Sequence, residues 1–284
     1  MQIFRKNKII IHCCTQKTGS QWFIPFLNDI LEISNKNYAN CTFVDYRKSV
    51  IFRDSDYKRP SYALQRELYT VQNDKFGFDK LKKNSLYASF YVGPAILNYL
   101  KPNQAKVFFI LRDPRDLVIS WYYSSKYSHT PTEDIDRVRA VLNDASFEDG
   151  IKYSIDQMSE FGLFEGVRGW MNIDMNQTWY KVYLYEDFVE QYENFCMHLI
   201  SFIGLNKDNN LYIDVINKHS FRNYSKGREK GETDKKSHYR SGSTDQWKDE
   251  FTEELIEYFE YKTNHLGKQY DRKKNEFKIQ LISL

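Results

Sequence analysis

Two short segments carry residue types suited to holding anions. The first, residues 15–22, reads Thr-Gln-Lys-Thr-Gly-Ser-Gln-Trp. Gly19 allows tight passage of the backbone, the hydroxyls of Thr18 and Ser20 flank it, and Lys17 adds a full positive charge. Where such a loop runs from a strand into a helix, free amides and the positive helix end face a phosphate-like group. The pattern for ATP and GTP needs a glycine followed by Lys and then Ser or Thr. Here Lys17 precedes Gly19, so the usual hydroxyl for Mg²⁺ is missing, which argues against a nucleoside-triphosphate kinase. The second segment is Arg112-Asp113-Pro114-Arg115-Asp116, with Ser120 beyond it. An arginine at a strand end and a hydroxyl on the following helix can converge on one dianionic group. The alternative for Arg112 and Arg115 is an ion-pair network with Asp113 and Asp116.

The elements that must position these residues are legible in the apolar pattern. Residues 8–14 form a short apolar run ending at the first loop, and Trp22, Phe23, Phe26, Leu27 and Ile30 then recur at helical spacing. Residues 106–111 (KVFFIL) predict a strand buried on both faces, followed by a helix with Asp113 as its cap and Pro114 in its first turn. A third unit starts at residues 179–184 (WYKVYL) and continues as a helix to about Gly204. Strands alternating with helices point to one α/β domain over residues 1–284, a parallel sheet covered on both faces with ligands at the carboxyl ends of its strands. Between 35 and 85 the pattern is weak; a strand at 42–46 and a helix at 61–69 are expected. Residues 222–248 are polar and charged and should form a long surface loop before a helix that begins near Thr252.

Composition excludes some classes. The 284 residues are 41% hydrophobic and 28% charged, which is globular, and a net charge of +3 is too mild for a nucleic-acid partner. No apolar run approaches the roughly 18–20 residues that span a bilayer, and the polar start points away from a secretory signal. Cys13, Cys14, Cys41 and Cys196 lack metal-ligand spacing, so they are read as reduced thiols of a cytoplasmic protein. The aromatic share of 17% includes 22 tyrosines and 20 phenylalanines, enough to line a partly apolar pocket, or simply a compositional bias. Oligomeric state has no code in the sequence.

The two segments resemble the donor-binding motifs of sulfotransferases that use 3′-phosphoadenosine 5′-phosphosulfate (PAPS). Residues 15–22 look like the family's 5′-phosphosulfate loop, and RDPRDLVIS with WYYS after it (112–124) looks like its 3′-phosphate motif. Arg240-Ser241-Gly242, Trp247-Lys248 and Phe251-Thr252 resemble the family's C-terminal loop and its continuation, and Tyr185-Glu186-Asp187 with His219-Ser220-Phe221 resembles the segments around adenine. The resemblance implies a P-loop-like fold that binds PAPS and releases the bisphosphate PAP without a catalytic metal. It implies that Lys17 contacts the oxygen bridging sulfur and phosphorus, and that Thr18, Gly19, Ser20 and Gln21 hold the 5′-phosphate. Trp22, Tyr185, Ser220 and Phe221 would surround the base, and Arg112, Ser120, Arg240, Ser241 and Gly242 the 3′-phosphate. A small-molecule acceptor, a natural product bearing a hydroxyl or amine, completes the expectation.

The sequence departs from the family at the base. Cytosolic members place a histidine in the segment that here reads Leu86-Tyr87-Ala88-Ser89-Phe90-Tyr91. His129, just past the Arg112 helix, is the leading substitute as catalytic base, with an exposed loop histidine as the plain alternative. His12 falls within a predicted buried strand, and Asp45 and Glu67 are carboxylate alternatives. Ser241 stands where the family has a lysine, which removes a cation. The basic run Lys226, Arg228, Lys230, Lys235 and Lys236 either compensates or is a solvated charge face. Tyr122, Tyr123 and Tyr127 could line the acceptor site or pack in the core. A non-catalytic nucleotide-binding protein is the remaining rival.

Overall fold

The computed structural model describes residues 8–42, 62–70, 77–205 and 209–278. Among them, five strands form one parallel sheet in the order β2-β3-β1-β4-β5: β1 (Ile9–Cys13), β2 (Ala39–Thr42), β3 (Ser85–Phe90), β4 (Ala105–Leu111) and β5 (Tyr180–Leu184). Alternation along the central strands divides the apolar side chains between two cores. Ile9, Ile11, Val107 and Phe109 enter one, while Ile10, Phe108 and Ile110 enter the other, as a sheet buried on both faces requires.

Helices close each face. Against the second core lie α1 (Ser20–Ile33), with Trp22, Phe23, Phe26 and Ile30 turned inward. The first core is covered by α2 (Tyr62–Thr70), α3 (Pro114–Tyr123), α4 (Glu133–Asp144), α5 (Phe147–Glu160) and α6 (Leu163–Met171). After β5 come α7 (Tyr185–Glu190), α8 (Tyr192–Phe202) and α9 (Ile213–Lys218), of which α8 and α9 pack on the second core through Phe195, Leu199 and Ile216. Then follow α10 (Phe221–Tyr224), α11 (Trp247–Glu250), α12 (Glu253–Lys262) and α13 (Leu266–Lys273). Fully burying one Leu, Ile or Phe stabilises by about 1.5–3 kcal/mol, so the two cores fix the strand ends from which the loops leave.

Most expected elements are present, with instructive differences. Asp113 caps α3 by accepting the Arg115 amide at 2.9 Å, and Thr252 caps α12 by accepting the Leu255 amide. Of the strand expected at 42–46 only Thr42 is described, as the last described residue of β2 (Ala39–Thr42), and the remainder, including Asp45, lies outside the described residues. β3 was not expected, because Ser85, Ala88 and Ser89 interrupt its apolar run; all six of its residues are nonetheless buried. The single helix expected after Tyr185-Glu186-Asp187, to about Gly204, instead begins at Tyr185 itself and breaks at Gln191, whose φ of −124° and ψ of 47° leave the helical region.

Candidate active site

Strands β3, β1, β4 and β5 lie side by side, so the loops leaving their carboxyl ends open onto a common rim. In the loop after β1, Lys17 and Gly19 both adopt left-handed backbone, at φ 69° and 84°. For Lys17 that conformation costs of order 1–3 kcal/mol and signals a functional constraint. Thr18, buried between them, donates its hydroxyl to the Thr15 carbonyl at 2.9 Å, which holds the turn shut. Gly19 is the cap of the 14-residue α1, so the positive end of that helix sits at the turn. Tyr91, just past β3, donates its hydroxyl to Ser20 Oγ at 3.0 Å, and Gln16 accepts from Tyr69 at 2.7 Å.

The two arginines after β4 have different tasks. Arg115 is consumed by structure: its guanidinium donates to Asp113 at 2.9 and 2.6 Å and to Asp271 at 2.9 and 2.7 Å, and lies 3.6 Å from the Trp247 ring centre. For this residue the ion-pair network is the correct reading. Arg112 turns the other way, donates to the Lys17 carbonyl at 3.0 Å and rests 4.4 Å over the Tyr185 ring. Its Nε is buried and meets no hydrogen-bond partner among the described residues. Burial pushes the neighbouring Asp116 up to about 6, with Arg112 pulling it back down.

The long loop between α10 and α11 folds over this rim. Arg240 projects from it, 4.3 Å from the Tyr123 ring and 3.4 Å from a Glu250 oxygen, and its Nη2 is buried without a partner among the described residues. Gly242, at φ 58°, lies against the Phe221 ring, where a Cβ would come within 2.6 Å of ring carbons. The basic run is neither a simple counter-charge nor a solvated face. Arg228 turns into the loop's own backbone, Lys230 donates to the Val189 carbonyl, and Lys226, Lys235 and Lys236 remain exposed.

Together these elements enclose one cavity. Its walls include Lys17, Gly19, Ser20, Gln21 and Trp22 from the first loop and α1, Arg112 and Ser120 from the second segment, and Tyr185, Phe221, Arg240, Ser241 and Gly242. Thr18 and Ser220 do not line it: Thr18 is committed to its own turn, and Ser220 opens onto an adjoining surface depression. Trp22 is largely buried against Phe26, at 4.4 Å, and Phe188, at 4.5 Å, with its indole N–H donating to the His219 carbonyl. Burial, followed by repulsion from Arg112 and Arg240, lowers Lys17 to about 7. Three cations from three separate loops therefore crowd one space and disfavour one another, an arrangement that an anion would relieve.

The expected bases fare differently. His129 lines the cavity, with Nδ1 3.2 Å from the Thr130 carbonyl. His12 does not: it is fully buried between Phe108, at 4.8 Å, and Phe23, at 4.5 Å, and burial lowers it to about 3. Glu67, on α2, is half-buried away from the cavity wall. Tyr122 and Tyr123 are core residues, and the more exposed Tyr127 stacks on Tyr123 at 6.2 Å. Sequence reasoning missed His238, Tyr224, Tyr239 and Tyr91, all on the cavity wall. His238 lies two residues before Arg240 and carried a signal as the histidine of a loop expected to cover the site.

Among the described residues no group of three or more His, Cys, Asp or Glu side chains is gathered as for a metal ion, the four cysteines are free thiols, and no helix is long and apolar enough to cross a membrane. No curated protein matches the chain in sequence. Solved structures do share its fold. A mouse sulfotransferase complexed with PAP superposes with a TM-score of 0.55 at 15% identity, covering 94% of this chain and 87% of that one. Retinol dehydratase in complex with retinol and PAP gives 0.53 at 15% identity, covering 92% and 82%. The family profile described as a sulfotransferase domain matches residues 6–271, and on that extent of agreement the chain belongs to the sulfotransferase family.

Proposed function

We propose that this sulfotransferase takes its sulfuryl group from PAPS, passes it to a hydroxyl or amine of a small soluble acceptor, and releases PAP. The observation that carries this reading is the convergence of Lys17, Arg112 and Arg240 on one cavity, two of them with a buried N–H that no group among the described residues satisfies. Buried donors are almost always paired, so an anionic ligand is the partner these groups lack. A donor with two separated phosphate groups matches two cationic clusters, and the clusters divide accordingly. Lys17 neutralises the charge that develops on the leaving oxygen, while Gly19, Ser20 and Gln21 hold the 5′-phosphate at the start of α1, with Thr18 keeping the turn in shape. Arg112, Ser120, Arg240, Ser241 and the Gly242 amide hold the 3′-phosphate. Trp22, Tyr185 and Phe221 flank the base, and Ser220 precedes Phe221 at the start of α10.

The acceptor side is the part of the cavity walled by Gln16, Tyr91, Trp121 and His129. Its rings suit a partly apolar molecule, and retinol occupies the related structure that also holds PAP. A natural product is the acceptor class we favour, in the cytoplasm, with neither nucleic acid nor membrane as partner. The reading is tested by incubating the protein with PAPS and a panel of phenols, aliphatic alcohols and amines and quantifying PAP and the sulfated product. Release of PAP coupled to a sulfated product supports it. Phosphate transfer from ATP and Mg²⁺ with no reaction of PAPS would overturn it.

A further inference from the structure

The loop over the cavity is not a loose strap, because one side chain organises it. Arg228 donates through Nη1 to the carbonyls of Glu232, at 2.8 Å, and Arg240, at 2.7 Å, and through Nη2 to Ser237 Oγ, at 3.0 Å, and the Tyr239 carbonyl, at 2.6 Å. Two of these acceptors, Ser237 and Tyr239, bracket His238. A second support comes from below: the Tyr239 ring stacks on Tyr224 at 4.7 Å with an interplanar angle of 18°, and the Tyr224 hydroxyl meets His219 Nδ1 at 2.5 Å. His219 in turn meets Asp29 through Nε2 at 2.7 Å. An imidazole on a segment held at four points, on the wall of a cavity it shares with Lys17 and His129, is placed for work.

We propose that His238 is a catalytic residue, the imidazole that receives the proton of the acceptor as its oxygen attacks sulfur. This rests on the PAPS reading above. In the step, the acceptor oxygen forms a bond to sulfur and the bond from sulfur to the bridging oxygen breaks. The electron pair of that bond stays on the 5′-phosphate of PAP beside Lys17, and the acceptor's proton moves to a ring nitrogen of His238 and later to water. His129, half-buried, is tied to a different frame: its ring faces the Thr130 carbonyl, and its own carbonyl accepts from Arg139 of α4 at 2.8 Å. His238 belongs to the loop that also carries Arg240, so covering the donor and supplying the base become one event.

The charge state agrees with this role. The crowding around the ring, followed by the charges of Lys17 and His129, lowers His238 to about 4, although the residue keeps an exposed side to solvent; the ring is therefore neutral at neutral pH and can pass a proton on to water. The basic groups acting on it are Lys17 from the loop after β1 and His129 from the turn after α3, with Arg240 and Lys230 of its own loop on the same cavity wall. Lys17, Arg240 and Lys230 bring positive charge, and the donor's negative charges oppose it. Binding of the donor therefore raises the proton affinity of His238.

Histidine-resolved NMR titration of the full chain, free and saturated with PAP, reads this without an acceptor, with His238→Gln giving the assignment. The expected result is a His238 titration below the ordinary histidine range in the free protein that climbs by at least one pH unit with PAP. A ring that titrates in the ordinary range and ignores PAP overturns the proposal. Single-turnover hydrolysis of PAPS supplies the second arm: His238→Gln is expected to lower the rate at least tenfold with PAP affinity unchanged, and His129→Gln less than threefold. The reverse order assigns the base to His129 and sinks the proposal, as does an unchanged rate in His238→Gln. Failure of the wild-type protein to bind PAP removes the donor reading and this proposal together, whereas normal PAP binding with an inert His238 removes only the latter.

Discussion

Replacing Lys17 with methionine should make the protein more stable while disabling it. The chain keeps its length, but the charge crowded by burial, Arg112 and Arg240 is gone. At about 1.4 kcal/mol per decade of proton affinity, the fall from the ordinary lysine range to about 7 corresponds to roughly 4–5 kcal/mol. Lys17 is only half-buried by its accessible surface, so solvent screening reduces the usable figure to about 1–2 kcal/mol. The sign follows from linkage. A lysine with a depressed folded value destabilises fully where both states are protonated, below about pH 7, and the penalty fades as pH rises toward the unfolded value. Thermal unfolding of Lys17→Met against wild type, without ligand, should therefore show a clear stabilisation at pH 6 that shrinks by pH 9. PAP, whose phosphate charge relieves the wild-type strain, should stabilise wild type more than the variant. A variant no more stable than wild type at pH 6, or a gain independent of pH, refutes the idea that three crowded cations share this cavity.

Other outcomes follow from single contacts. Arg228→Ala frees the loop over the cavity and should raise the PAP dissociation constant about tenfold, roughly 1.4 kcal/mol, in a calorimetric titration, while Arg228→Lys restores only part because lysine lacks the planar fork. Gly242→Ala drives a Cβ into the Phe221 ring at 2.6 Å and should weaken PAP binding by a similar factor with a normal circular-dichroism spectrum. His12→Leu should leave PAP binding intact and reduce acid sensitivity. The wild-type ring, held to about 3 by burial, takes up its proton in the unfolded state first, so stability is lost as pH falls from about 6.5 toward 3. The variant should thus gain about 2–3 kcal/mol over wild type in urea unfolding at pH 4 relative to pH 7.

How much of this was legible in the sequence depended on whether the signal was local. β1 and β4 announce themselves as continuous apolar runs, and Asp113 before Pro114 marks the start of α3, because strand burial and helix capping are written in neighbouring residues. Lys17, Gly19, Arg112 and Arg240 stood out because each sits in a motif whose spacing is short. What stayed hidden is what depends on distant contacts. β3 is polar enough to pass for a loop and is a strand only because β1 and β2 pair with it on either side. Arg228 looked like part of a solvated basic run and His238 was passed over, since nothing in their neighbours tells that Arg228 folds back onto the carbonyls around His238. In α5 a local signal was present and overlooked: Ser146 accepts the Asp149 amide at 3.1 Å and donates to its carboxylate at 2.7 Å, a capping pair three residues apart.

The central claim is that the cavity formed by Lys17, Arg112 and Arg240 binds a 3′,5′-bisphosphate. It is tested most directly by the melting temperature of the purified protein alone, with PAP, and with ATP plus Mg²⁺. A ligand specific to the folded state stabilises by about 2.7 kcal/mol at a hundred times its dissociation constant. The account predicts an upward shift with PAP that is lost in Arg112→Ala and little change with ATP and Mg²⁺. A shift with ATP and Mg²⁺ but none with PAP would contradict it.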